Sequence, residues 1–327
     1  MRVLVTGARG YVGSRLVPAL LARGHEVVAT SSDGSSRTGY PWRDAVEWRP
    51  MDVFDAGQVR RAVDGVDAVA YLIHGLDDRD YVARDRQAAQ TMRAAVDAAG
   101  VEHLVYLSGL VPQGTPDEQL SDHLRSRLEV EDVLTAREGS SLTLRAAIVM
   151  GSGSSSFEVV RQVSRRIPLV RPVPVWMRGT RVQPIAVSDT VEYLVLALES
   201  PGTRGYLDIG GPDVLTYPEL LRVYADVVSA TRVQVPLPWM PAGLMGSIAG
   251  ALTDVPTETV EALVHSLEHD MICHLDARDV LGEPGRTLVG VRESMSRSLL
   301  PFDPAHDGAA TGEDPHRPSL GDPAWSR

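Results

Sequence analysis

The chain alternates short apolar runs with longer stretches in which apolar residues return every three or four positions. The short runs read as buried strands, and the three-to-four spacing reads as one face of a helix. This pattern predicts strands at 2–6, 25–30, 46–49, 67–73, 103–107 and 141–147. It predicts helices at 10–22, 55–64, 79–99, 119–137 and 155–165. Gly24, Gly65, Gly100 and Gly139 stand just past four of these helices, where left-handed caps are expected. Asp55 is placed to cap the helix that begins beside it. Regular alternation of strand and helix predicts an α/β fold with a doubly wound parallel sheet.

The first strand, Val3 to Val5, runs into Thr6-Gly7-Ala-Arg9-Gly10-Tyr11-Val12-Gly13 and then into a helix with Val12, Leu16 and Leu20 on one face. Strand, glycine turn and helix in this order make a dinucleotide site. Gly7 permits the tight turn, Gly10 lets backbone approach a pyrophosphate, and Gly13 lets the helix pack close to the strand. The helix N-terminus adds N–H donors and a positive dipole end. Pro18 removes one helical hydrogen bond and is expected to kink this helix.

After residue 150 the pattern loosens. Ile167 to Pro184 carries four prolines, which suits edge strands and irregular structure. A helix is expected from Ser188-Asp189 through Leu198, and a strand from Tyr206 to Ile209. Thr216-Tyr-Pro-Glu219 reads as a capping box. Helices around 240–252 and 257–268 and a strand near 270–275 complete the pattern. The expected division is a Rossmann-type NAD(P)-binding domain from 1–150 plus 182–209 and a smaller substrate-covering lobe from 151–181 plus 211–300. A disordered tail is expected from 301–327, which is rich in Pro, Gly, Asp and His.

These landmarks resemble the extended and atypical short-chain dehydrogenase/reductase superfamily, including NmrA-like and epimerase-like bacterial proteins. The resemblance rests on the Thr6–Gly13 turn, Val46-Glu-Trp-Arg-Pro-Met-Asp52-Val53, Asp67-Ala-Val-Ala-Tyr-Leu72-Ile73-His74, Leu104-Val-Tyr-Leu-Ser108, Leu144-Arg145-Ala-Ala-Ile-Val-Met-Gly151 and Arg181 to Asp189. It also includes Tyr206 to Tyr217, so it spans about residues 1–300. The resemblance implies that Asp52 reads the adenine amine with Val53 beside it. It implies that Leu72, Ile73 and His74 line the cofactor, that Arg145 lies beside the nicotinamide, and that Ser108 stands where the family places its catalytic Ser or Thr.

Composition alters this picture at one point. The 32 basic residues are all arginine, and the sequence contains no lysine. Schiff-base, P-loop and lysine-base chemistry are thereby excluded, and so is the family's Tyr-x-x-x-Lys dyad. In the matching frame His123 takes the tyrosine position and Arg127 the lysine position, with Glu131 four residues on. A histidine near its ordinary pKa would exchange a proton at neutral pH without a cation. His123 is therefore the expected acid/base, Ser108 the orienting donor and Arg127 a contact to the nicotinamide ribose. His74 is expected to line the pocket rather than act as an acid.

At the end of the second strand stands Thr30-Ser31-Ser32, where NAD-preferring relatives place an Asp. Ser31 and Ser32 with Arg9 and Arg37 suit a 2′-phosphate, so NADP(H) is expected over NAD(H), with Asp33 the opposing consideration. His265-Ser-Leu-Glu268-His269 fits an inverted zinc-protease pattern, but its apolar neighbours Val260, Leu263, Val264 and Leu267 read as a packed helix face and no metal is expected. A net charge of −11 disfavours nucleic acid and anionic membranes as partners. One cysteine, Cys273, excludes an internal disulfide and suits a reducing cytoplasm.

Three functions fit these residues: an NADP(H)-dependent oxidoreductase on a small, partly apolar substrate, an NADP(H)-sensing NmrA-like regulator, and an epimerase or isomerase with tightly held cofactor.

Overall fold

A computed structural model describes residues 1–32, 39–75, 81–116, 118, 120–167, 169–231 and 233–326. Its first strands are β1 (Arg2–Val5), β2 (Glu26–Ser31), β3 (Glu47–Pro50), β4 (Ala68–Tyr71), β5 (His103–Gly109) and β6 (Ser140–Ala146). They are followed by β7 (Val149–Met150), β8 (Val170–Pro174), β9 (Arg181–Val182), β10 (Ile185–Ala186), β11 (Gly205–Ile209), β12 (Leu215–Thr216) and β13 (Val233–Leu237). The first six helices are α1 (Gly13–Ala22), α2 (Ala56–Val63), α3 (Tyr81–Ala98), α4 (Asp122–Thr135), α5 (Ser155–Arg166) and α6 (Val187–Leu198). After them come α7 (Tyr217–Val227), α8 (Ala242–Ala251), α9 (Thr257–Ser266), α10 (Arg278–Leu281), α11 (Val291–Ser298) and α12 (Gly308–Thr311).

Seven strands form a parallel sheet in the order β11-β6-β5-β4-β1-β2-β3. Both faces are covered, which explains why its strands read as nearly continuous apolar runs. Alternate residues supply two cores. Val3, Val5, Ala68, Ala70, Leu142 and Leu144 meet α1 and α6 on one face. Leu4, Val69, Tyr71, Leu104 and Tyr106 meet α2, α3 and α4 on the other. The strand order reverses between β1 and β4, which is where a doubly wound sheet opens its ligand crevice.

Local signals act as their chemistry requires. The Asp55 carboxylate accepts from the Gly57 and Gln58 amides at 2.8 and 3.0 Å, and Thr216 with Glu219 forms the capping box of α7. Gly24, Gly65 and Gly100 take positive φ, whereas Gly139 does not, so no left-handed cap forms there. The expected strand near 270–275 makes only isolated bridges, Val182 with Met271 and Asp208 with Asp276. The Asp208 carboxylate takes the His274 and Leu275 amides at 2.8 and 3.1 Å, replacing a strand ladder with side-chain bonds. Helix α1 continues through Pro18, and Gly312 packs over its ring. No described helix is long and apolar enough to cross a membrane.

The tail corrects an expectation. Residues 301–326 are folded against the body, with Ala309, Ala310, His316, Ser319 and Asp322 buried. Their anchor is Arg15 of α1, which is 1% exposed and reaches both Asp322 oxygens at 2.8 and 3.0 Å. The same guanidinium donates to the carbonyls of Pro315, Tyr11, Ser152 and Arg317. At its far end the tail meets α5, where Arg161 donates to the Ser326 carbonyl and Gln162 to that of Trp325. Composition misled because polar bonds to one buried arginine, rather than a large apolar surface, hold the segment.

Asp322→Ala should leave Arg15 buried without its counter-ion and destabilise the protein by about 3–5 kcal/mol. Urea unfolding of the variant checks this, and a change within 0.5 kcal/mol would show that the clamp carries no stability.

Candidate functional site

The Gly7–Gly13 turn has the geometry of a phosphate cradle. Gly7 takes φ +64°, a left-handed conformation that side chains disfavour. A Cβ on Gly13 would lie 2.2 Å from the Gly7 carbonyl oxygen, and one on Gly10 3.1 Å from the same atom. Only glycine lets the turn close and α1 seat on the sheet. Among the described residues the amides of Tyr11, Val12 and Gly13 have no acceptor, so they are open to an anion at the helix start. A dinucleotide pyrophosphate fits this donor set.

Around the cradle each expected residue has a definite place. Thr6 is fully buried; its hydroxyl donates to the Ala70 carbonyl at 3.2 Å and accepts from the Leu72 amide at 2.9 Å, tying β1 to the end of β4. Tyr11 turns its ring away from the crevice, beneath the Arg15 guanidinium and with its buried hydroxyl packed against Gly151. Its contribution to the cradle is therefore its amide. The Arg9 carbonyl accepts from the Tyr40 hydroxyl at 3.0 Å, and Tyr40 opens a stack with Trp42 and Trp48. Ser31 is buried at the end of β2 and Ser32 is exposed beside it. Arg37 and Asp33 lie outside the described residues. Asp52 is exposed after β3 and accepts from the Phe54 amide at 3.0 Å, Val53 is buried, and Leu72 and Ile73 are half-buried past β4.

The far end of the crevice gathers titratable groups from β4, β5, α3 and α4. Arg127, 8% exposed, donates to the Tyr106 hydroxyl at 3.4 Å. Ser108 is buried two residues along the same strand face, and its hydroxyl makes no hydrogen bond of normal geometry. Asp85 accepts from the Gly75 amide at 2.8 Å and from the Ser126 hydroxyl at 3.2 Å, stapling the β4 loop to α4. Burial raises the Asp85 pKa. Sequence reasoning missed Asp85, Ser126 and Tyr106. A lone carboxylate on the buried face of α3 was the available signal for the first.

Arg127 dominates the electrostatics. His74 is exposed at the mouth, so the Arg127 charge, more than burial, holds its pKa well below the ordinary imidazole value, with His123 adding to the effect. His123 is half-buried; burial and then Arg127 push its pKa down to about 3. This corrects the expectation of a group titrating near neutrality. At pH 7 the ring is neutral and offers an N–H rather than a proton in free exchange. Arg145 is committed elsewhere: it donates to both Glu131 oxygens at 2.8 and 2.6 Å and stacks on the Tyr206 ring at 3.6 Å. Through these contacts Arg145 bridges β6, α4 and β11.

Beside His123 lies an inner cavity with about 590 Å³ of empty space, part of it open to solvent, lined also by Gly109, Ala146, Ala147, Ile148 and Tyr217. It opens where β5 and β6 end, at the sheet edge that bears the glycine turn.

Comparison with known proteins agrees with this arrangement. Residues 7–158 match the NAD(P)H-binding family. The chain is similar to a ceramide reductase of Caulobacter vibrioides, with 26% identity over 271 residues covering 78% of this chain and 80% of that protein. A UDP-glucose 4-epimerase of Vibrio cholerae is 25% identical over 322 residues, covering 88% and 92% of the two chains. In three dimensions the fold matches a nucleoside-diphosphate-sugar epimerase from Staphylococcus aureus with a TM-score of 0.69, at 12% identity, over 90% of this chain and 100% of the other. Over residues 7–158 the chain is thus similar to NAD(P)H-binding proteins, and the curated proteins it resembles include a reductase and an epimerase.

Because His123 is held neutral, its ring proton resonances should stay constant from pH 8 down to 5 in NMR titration. Arg127→Gln should raise the His123 pKa toward the ordinary value. A wild-type midpoint near 6.5 would refute the electrostatic account. The sign also fixes a stability effect: the unfolded chain takes up this proton as pH falls below about 6.5 while the folded chain does not, so acidification from there toward 3 lowers stability.

Proposed function

We propose that the protein is an NADP(H)-preferring oxidoreductase that acts on a small, partly apolar substrate without a Tyr–Lys dyad. The observation that carries this reading is the inner cavity: it places His123 at the ends of β5 and β6, on the same sheet edge as the glycine cradle. A bound nicotinamide would supply or accept a hydride there. His123, neutral and partly desolvated, donates its N–H to the oxygen on the reacting carbon, and a solvent proton passing through it balances the hydride. Burial and then the Arg127 charge keep that ring neutral, and Ser108, buried with an unspent hydroxyl, orients the same oxygen. These three are the proposed catalytic group.

Preference for NADP(H) is supported by hydroxyls at Ser31 and Ser32 in place of a carboxylate, with Arg9 in the turn. The proposed cofactor contacts are Thr6 to Gly13, Ser31, Ser32, Arg37, Asp52, Val53 and Leu72 to His74. The proposed division of labour is the nucleotide domain at 1–150 with 182–209 and the substrate lobe at 151–181 with 211–300. A cytoplasmic setting accords with Cys273, a single thiol whose pKa burial raises to about 12.

Fluorescence titration should show NADPH binding about tenfold or more tighter than NADH. Equal or tighter NADH binding would overturn the preference. With decanal as a test substrate, His123→Phe should lower kcat about 10²-fold while leaving the Kd for NADPH unchanged. Undiminished turnover would remove His123 from the mechanism, and tight NADPH binding without any turnover would favour the sensing function.

A further inference from the structure

A second cavity opens in the lobe. It holds about 870 Å³ of empty space, part of it open to solvent, between α5, α7, α8 and α9. Its wall includes Val163, Leu221, Met245, Ile248, Ala249 and Leu252, and no charged side chain lines it among the described residues. A diphosphate would find no counter-charge there, which sets this lobe apart from the task named for its nucleoside-diphosphate-sugar relatives. The cleft also shares four wall residues, Val159, Tyr217, Val264 and Leu267, with the inner cavity beside His123. The two spaces meet across these side chains.

Tyr217 marks the neck. It is the first residue of α7, and the Thr216–Glu219 capping box fixes the backbone at that point. Its hydroxyl makes no hydrogen bond among the described residues, and burial alone lifts its pKa to about 12. Tyr217 is half-buried, and a hydroxyl with no protein partner is free to bond a polar group that arrives beside it. At the boundary between an apolar cleft and a cavity containing His123, the arriving group is the polar end of an elongated molecule.

We propose that the substrate is an uncharged amphiphile of long-chain or sterol-like shape, with its apolar body in the lobe cleft, its polar reactive end in the inner cavity, and Tyr217 hydrogen-bonding that end at the neck. This rests on the oxidoreductase reading for what happens at His123, but the binding does not require cofactor. Tyr217 is a specificity residue here, and it selects an oxygen at a fixed distance from an apolar body.

The test uses 1-alkanols from hexanol to dodecanol, below their solubility limits, displacing the neutral fluorophore N-phenyl-1-naphthylamine from the nucleotide-free protein. Each added methylene should tighten binding about fourfold, corresponding to about 0.8 kcal/mol per buried CH₂. Tyr217→Phe should weaken every alkanol about fivefold and leave the increment per methylene unchanged. Ala249→Trp, which fills the cleft, should abolish the increment for the longer members. Binding that does not depend on chain length would overturn the proposal, as would an Ala249→Trp protein that is folded by circular dichroism and keeps the wild-type increment. Loss of the increment in Tyr217→Phe would equally overturn the role given to that hydroxyl. NADPH titration on the same samples separates these outcomes from failure of the oxidoreductase reading, because nucleotide binding is measured without alkanol.

Discussion

One backbone contact sets the geometry of the whole molecule: Gly13 against the carbonyl of Gly7, too close for any side chain. It lets α1 start directly over the end of β1, with its first amides facing the crevice. It also fixes where the next turn of α1 lies, and Arg15 is on that turn. Because Arg15 gathers carbonyls from the turn, the start of the lobe and the tail, the close contact at Gly13 positions three distant stretches of chain. Tyr40 holds the other side of the turn through the Arg9 carbonyl, and Gly321 of the tail lies against the Tyr40 ring. The cradle is rigid because tertiary structure closes on it from both sides.

The reactive end depends on a different constraint, a permanent positive charge. A lysine in the place of Arg127 could lose its proton; a guanidinium in this range of pH cannot. The field on His74 and His123 is therefore constant over any pH at which the protein is folded. Burial and this field together keep His123 neutral, closer to a hydroxyl than to an ordinary imidazole as a donor. The absence of lysine and the presence of His123 are two parts of one electrostatic arrangement.

Much of the fold could be read from the sequence because double-sided burial leaves a strong signal. Val3 to Val5 and Ala68 to Tyr71 are apolar at successive positions since each neighbour enters a different core. Helices α2 and α7 were marked by Asp55 and Thr216, whose side chains act only on nearby amides. Long-range polar bonds left no such trace. Nothing near Arg15 in sequence indicates a partner at Asp322, and nothing near residue 274 indicates the Asp208 carboxylate. The candidate site divides the same way. The cradle is one continuous phrase and was legible, whereas the pKa of His123 depends on burial by elements that are remote in sequence, and Arg145 could not be seen to spend its donors on Glu131.

The Arg15–Asp322 pair joins residues 307 positions apart. During synthesis on the ribosome, the first βαβ unit emerges with Arg15 exposed and its counter-ion not yet made. That unit cannot bury the arginine until residue 322 has been translated, since an unpaired guanidinium is poorly tolerated in an apolar interior. Contacts of such separation close late and slowly. The cradle thus takes its final surroundings only after a segment 307 residues further along has been made.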